Sequence, residues 1–258
     1  MIFETDKGQQ AQLDWKENID FVLSNGEVIN INIFVLILSY SRFRVYRLSL
    51  EKTQDVVFSF LNESFEAFGG VPKELLTDNM KTVMDQLSTA YQREKVNNKF
   101  QQFADDYGFK VRPCIAGRPN TKAKVEAPMK LLDEIRSYNR TLNFDELHQL
   151  ISTLNNRING TCNTSTGKIP VLHLEKEKDF LLDLPTEQIR NCYLIITKSV
   201  KVNRQSMISY KSNQYSVPQE YIDKKLKLQV YDNHYLQISS LTLKNSKYEM
   251  NEIKYNKR

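Results

Sequence analysis

The chain has 258 residues, 40% of them hydrophobic and 26% charged, with a formal net charge of +5. That length suits one large domain or two smaller ones, and the composition is that of a globular protein rather than a disordered or fibrous one. The longest apolar stretch, Ile31 to Leu38, is far too short to span a bilayer, and the N-terminus lacks the basic-then-apolar layout of a signal peptide, so the expectation is a cytoplasmic protein with no membrane partner.

The segment Gln10 to Asp20 reads as a strand, and Asn25-Gly26 is a hairpin signal. Val28 to Tyr40 follows as a strand apolar on both faces, so it belongs in the middle of a covered sheet. Phe43 to Leu48 alternates as a third strand. In Gln54 to Phe68 the residues Val57, Phe58, Leu61, Phe65 and Phe68 share one helical stripe, closed by Gly69-Gly70 and Pro72. Glu74 to Thr77 is a short buried strand that delivers Asp78. Tyr91 to Tyr107 has helical spacing and ends at Gly108; Phe109 to Cys114 is a further strand, broken by Pro113. A Gly/Pro/Asn loop leads into a helix from about Lys124 to Tyr138, and Asn143-Phe144-Asp145-Glu146 opens a last helix to Asn159. The order predicts an α/β fold, a mixed five-stranded sheet flanked by helices.

After Pro170 the pattern changes. Lys176 to Pro185 is charged and irregular and reads as part of a linker over 176–188. From residue 189 short alternating segments predict a small all-β, barrel-like module, with turns at Lys211-Ser212-Asn213 and Asp232-Asn233-His234. The expected organisation is a core over 1–175, the linker, and the module over 189–258. Residues 1–185 hold 23 Lys+Arg against 25 Asp+Glu, whereas 186–258 hold 13 against 6. A small basic part beside a near-neutral larger one is the asymmetry of a segment that grips polyanion, although a solvated basic surface looks the same. Basic residues interleaved with tyrosines in the module, Lys201 and Arg204 among them, suit backbone tracking along DNA; the tyrosines fit a barrel core equally well.

Cys114, Cys162 and Cys192 are scattered and form no Cys-x-x-Cys pair, and His148, His173 and His234 match no metal spacing. The informative acids are Asp14, Asp78 and Glu126, each standing where the local pattern changes. Three carboxylates from separate elements repel one another unless they hold divalent metal, and two Mg²⁺ or Mn²⁺ ions clamped in this way serve in-line phosphoryl transfer. Taken singly, Asp14 could be an edge-strand acid, Asp78 a turn former and Glu126 a first-turn glutamate. Trp15 alternates to the opposite face from Asp14 and is expected in the core.

Three stretches carry a family pattern: Gly8-Gln9-Gln10-Ala11-Gln12-Leu13-Asp14-Trp15, Gly70-Val71-Pro72-Lys73-Glu74-Leu75-Leu76-Thr77-Asp78-Asn79-Met80-Lys81-Thr82-Val83, and Gly117-Arg118-Pro119-Asn120-Thr121-Lys122-Ala123-Lys124-Val125-Glu126-Ala127-Pro128. In these, the chain resembles the IstA-type bacterial insertion-sequence transposases of the retroviral-integrase superfamily. The resemblance implies an RNase H-like core with Asp14, Asp78 and Glu126 as its metal-binding triad, holding two Mg²⁺ (or Mn²⁺) ions when DNA is bound. It implies cleavage of double-stranded DNA at element ends and joining to target DNA, by a homo-oligomer on the nucleoid with an ATPase helper. Asn79 and Lys81 would steady DNA or the metal shell, and Arg118, Lys122 and Lys124 would contact phosphates beside the scissile bond. Members of that family carry helix-turn-helix segments ahead of the core, so a truncated copy, active or silent in catalysis, is one expectation. A simple nuclease of related fold is another.

Overall fold

The computed structural model describes residues 5–77, 83–86, 95–113, 134–164, 166–194, 196–210, 213–231, 235–244 and 247–256. They form two units, Met1–Arg190 and Asn191–Arg258.

The first unit is built on a five-stranded mixed sheet. Its strands in chain order are β1 (Gln10–Val22), β2 (Val28–Leu38), β3 (Arg44–Ser49), β4 (Glu74–Thr77) and, after a small β5 (Met84–Gln86) and β6 (Lys95–Val96) pair, β7 (Lys110–Pro113). The spatial order is β3-β2-β1-β4-β7. The first three strands are antiparallel neighbours, while β1 to β4 and β4 to β7 are parallel. A parallel step needs a crossover, which α1 (Gln54–Phe68) supplies between β3 and β4.

The two-sided apolar run of β2 does what its pattern predicts. Ile31, Ile33, Val35 and Ile37 pack with Ile135 and with Leu147, Ile151 and Leu154 of α3 (Phe144–Gly160). The alternate residues face the other way, where Phe34 lies 5.6 Å from Phe60 of α1. Behind α1 stands α2 (Asn98–Tyr107), and Phe58 stacks on Phe103 at 4.7 Å. The Tyr107 hydroxyl donates to buried Asn62 at 2.6 Å.

Most boundaries fall close to the sequence prediction. The Asn143–Glu146 capping box forms in both directions. The helix expected from Tyr91 begins at Asn98 instead. The Asn97 side chain accepts from the Lys99 and Phe100 amides and so caps the helix there, and Val96, counted into the helical stripe, pairs as a strand with Met84. Pro113 ends β7 without harm because β7 is an edge strand. The other edge, β3, is closed by α3: Asn159 accepts from the Arg44 amide at 3.0 Å and donates to its carbonyl at 2.7 Å, and Asn155 accepts from the Tyr46 amide. These side chains satisfy backbone groups that an open edge would leave exposed.

The linker expected over 176–188 is part of the first unit. After α4 (Pro170–Glu175), Glu177 is fully buried, and its two carboxylate oxygens accept from the Gly8 and Ser41 amides, each at 3.0 Å. Val71 and Leu182 exchange both backbone hydrogen bonds at 2.8 Å. Gly8, at φ +65°, has room for no side chain, since a Cβ there would collide with the Phe180 carbonyl oxygen. The charged composition misled because Glu177 finds its partners in two loops remote in sequence.

The second unit consists of β8 (Ile196–Lys201), a β9 (Met207–Tyr210) and β10 (Asn213–Ser216) hairpin, β11 (Lys225–Tyr231), β12 (Tyr235–Lys244) and β13 (Lys247–Asn256). The long strands form an antiparallel sheet in the order β13-β12-β11-β8. Val202, Ile208, Tyr210, Val217, Tyr221, Leu226 and Leu228 make its core.

Glu177→Ala would orphan two buried amides, at about 1–3 kcal/mol each. We expect a loss of about 2–4 kcal/mol in urea unfolding, with Glu177→Gln, which keeps one acceptor oxygen, falling between it and the wild type.

Candidate active site

Asp14 sits near the middle of β1, the central strand of the sheet, and is half-buried. In the ladder it stands opposite Val35, while Trp15 stands opposite Phe34. Directly opposed residues of an antiparallel pair share a face. Asp14 therefore belongs to the face that carries Val35, Ile135 and α3, and Trp15 to the α1 face. There the Trp15 ring meets Phe34 edge-on at 5.0 Å, on the face its alternation predicts, but it is half-buried rather than part of the core. The Asp14 Oδ1 accepts from the Trp15 amide at 2.9 Å.

The strand beside it brings the chain to the second acid. Gln10 to Leu13 pair in parallel with Glu74 to Thr77, so the last residue of β4 lies in register with Leu13, the residue before Asp14. Asp78 follows Thr77 directly in the chain. On the same face as Asp14, Ile135 is 1% exposed among the Val35 cluster, nine positions after Glu126.

Asp78, Asn79, Lys81, Arg118, Lys122, Lys124 and Glu126 themselves lie outside the described residues. Among the described residues no group of three or more His, Cys, Asp or Glu side chains stands ready for a metal. Cys162 and Cys192 are exposed cysteines. Also among the described residues, no helix is long and apolar enough to cross a membrane.

In the second unit Lys201 pairs with Asp223 at 3.2 Å, with both side chains about two-thirds exposed. Arg204 is exposed in the turn between β8 and β9. Tyr210 and Tyr221 are buried, 6% and 2% exposed, so the core reading holds for these two tyrosines. Sequence reasoning missed Glu177 and Arg42, both buried charges near the start of β1. Arg42 lay inside a strand-and-turn stretch with no motif around it, and only its left-handed backbone, φ 62°, sets it apart.

The β3-β2-β1-β4-β7 sheet, three antiparallel strands followed by two parallel ones with an acid on the central strand, is that of an RNase H-like fold. The family described as "Integrase core domain" matches residues 4–119, a span that includes Asp14 and Asp78, and that described as "Mu transposase, C-terminal domain" matches residues 193–239. Residues 4–119 thus match an integrase core, and the curated proteins to which the chain is similar are insertion-sequence transposases. The chain is 59% identical over 231 residues to the transposase for insertion sequence element IS232 of Bacillus thuringiensis subsp. berliner, covering 90% of this chain and 54% of that protein. It is 29% identical over 222 residues to the transposase for insertion sequence element IS21 of Pseudomonas aeruginosa, covering 84% of this chain and 55% of that protein. The chain thus spans about half the length of these curated relatives. Among solved structures, a chain in the cryo-EM structure of a simian T-cell lymphotropic virus intasome, in complex with PP2A regulatory subunit B56 gamma, superposes with a TM-score of 0.50. It is 14% identical and covers 96% of this chain and 76% of that one, a likeness of fold.

Asp14→Asn retains an oxygen for the Trp15 amide and stays half-exposed. We expect the thermal unfolding midpoint to move by no more than about 0.5 kcal/mol equivalent, so this variant separates chemistry from folding.

Proposed function

We propose that the chain is the catalytic core of a DNA transposase, cleaving DNA and joining a 3′-OH end to a second duplex in a divalent-metal-dependent reaction. The observation that supports this reading is the parallel register that sets Thr77, the residue before Asp78, against Leu13, the residue before Asp14. Glu126 completes the triad from the segment that reaches the same face at Ile135. The donor set fits Mg²⁺ or Mn²⁺, since carboxylate oxygens are hard ligands and Asp14 presents one on a strand fixed from both sides. Bound by these acids, a pair of divalent ions supplies charge stabilisation at the attacking and leaving oxygens of an in-line displacement.

The chain's own residues do the rest. β1, locked between β2 and β4, holds Asp14 in place without motion of a loop. Asn79 and Lys81, directly after Asp78, steady the DNA, and Arg118, Lys122 and Lys124 neutralise phosphates beside the scissile bond. No covalent enzyme intermediate is required, so no serine or tyrosine nucleophile is assigned. In the second unit Arg204 and Lys201 contact the DNA backbone. Lys201 is already paired with Asp223, which makes Arg204 the stronger contact. A homo-oligomer on double-stranded DNA, element ends and target together, and an ATPase helper belong to the same reading, as does residence at the bacterial nucleoid; the IS232 and IS21 relatives, transposases of insertion sequences, support DNA as the partner.

Joining of a 3′-end oligonucleotide to a second duplex, with Mg²⁺ or Mn²⁺, tests the proposal. Asp14→Asn, Asp78→Asn and Glu126→Gln should each lower joining by about 10³-fold or more while DNA binding persists. Cutting without joining would make the chain a nuclease, and binding without chemistry in the wild type would make it a silent fragment. For the second unit, Lys201→Ala with Arg204→Ala should weaken duplex binding and flatten its log–log salt dependence by about one to two phosphates.

A further inference from the structure

The sheet carries a second charged surface at the end where β1 and β4 begin, away from the end at which β4 runs toward Asp78. A cleft of about 670 Å³ opens there, and its walls include Lys7, Tyr40, Arg42, Lys73, Lys168 and Phe180. Four of these are cations, and among the described residues lining the cleft Asp6 is the one acid. Residues 1–185 as a whole have slightly more acids than bases, so the concentration of positive charge is local.

The cations are held rather than dispersed. The Lys7 ammonium stands 5.7 Å from the Tyr40 ring centre and 4.8 Å from that of Phe180, and the Lys168 ammonium stands 5.0 Å from Tyr40. One aromatic ring thus draws two like charges together. Among the described residues, no carboxylate forms an ion pair with Lys7, Lys73 or Lys168.

Arg42 is the decisive group. It is 7% exposed, and its buried Nε and Nη1 have no hydrogen-bond partner among the described residues. Unpaired buried donors of a charged group are costly and call for an acceptor. Glu177 acts on Arg42 through its charge, but its carboxylate hydrogen-bonds the Gly8 and Ser41 amides and accepts from neither of these two atoms. Burial first, and Arg44 second, lower the Arg42 pKa, with Glu177 opposing them in part. The His173 ring, 6.2 Å from Tyr40, has its pKa lowered by burial and then by Lys168, Lys176 and Lys7, in keeping with a positive local field. A planar guanidinium with N–H groups lacking an acceptor, beside ammonium groups held over aromatic rings, is the donor set that a tetrahedral phosphate oxyanion matches.

We propose that this cleft is a phosphate-binding site that takes a backbone phosphodiester of DNA at the end of the sheet remote from Asp14. Arg42 supplies the fork, and Lys7, Lys73 and Lys168 supply the surrounding charge. The choice of DNA as the source of the phosphate rests on the function proposed above; the anion site itself does not.

The test uses the full chain and two probes, a 20-base-pair duplex and inorganic phosphate, observed through the Arg42 Nε–H signal in ¹H–¹⁵N spectra. The duplex should shift that signal, and Lys73→Glu with Lys168→Glu, at the cleft rim, should weaken duplex binding by about tenfold and reduce the salt slope by about two. A shift by inorganic phosphate with none by the duplex would keep the site and reassign its source to free phosphate. A signal unmoved by both probes, or unmoved affinity in the double lysine variant when the duplex is the probe that shifts the signal, would overturn the proposal. Strand joining is read separately, so a wild type that shifts the Arg42 signal but joins no DNA would sink the catalytic reading alone.

Discussion

The parallel pairing of β1 with β4 is the constraint on which the molecule depends. It aligns Gln10 to Leu13 with Glu74 to Thr77, over only four residue pairs. Side chains alternate with a period of two along a strand, so a slip of one residue would send a strand's whole pattern to the opposite face. Asp14 would then leave the α3 face and enter the layer of Phe34 and Phe60, and the approach to Asp78 would miss it. Four pairs alone would hold such a register poorly. The longer β1–β2 ladder fixes one side of β1, from Ala11 with Leu38 to Val22 with Val28. The aromatic layer of α1 and α2 fixes the crossover that brings β4 back.

That register is anchored from below. The chain enters β1 at Gly8 and leaves β2 at Ser39 to Ser41, and one buried carboxylate, Glu177, accepts from the Gly8 and Ser41 amides at once. Leu182 then pairs with Val71 just ahead of β4. The segment after α4 thus ties together the starts of both strands of the parallel pair, and it works as a clasp on the sheet rather than as a loose tether. A buried charge satisfied by two backbone donors is costly to break, which makes the base of the sheet rigid where the strands set out toward the acids.

Much of this was legible in the sequence where the determinant is local. The double-faced apolar run of β2, the stripe and glycine stop of α1, and the capping box of α3 are all written within a few residues, and each forms where expected. The acid on β1 and the residue that ends β4 could likewise be placed by pattern. What was not legible depends on contacts across the chain. Val96 has the spacing of a helical residue, yet pairing with Met84 and the Asn97 cap keep it extended. Glu177 sits in an alternating run of acids and lysines that reads as solvated, and nothing within that run announces amides 136 and 169 positions away.

Charge shows the same division. Counting along the sequence places the basic excess in the last third of the chain and leaves the core near neutral. A count over many residues averages away what geometry concentrates, and binding responds to local potential rather than to the sum. In the core, Lys7, Arg42, Lys73 and Lys168 come from four separate stretches and meet at one cleft, with aromatic rings in place of carboxylates between them. The second unit, by contrast, neutralises part of its excess, as Lys201 does with Asp223. The anion site proposed for the core therefore rests on a buried guanidinium that has no acceptor among the described residues, a feature that no count of charges along the sequence could show.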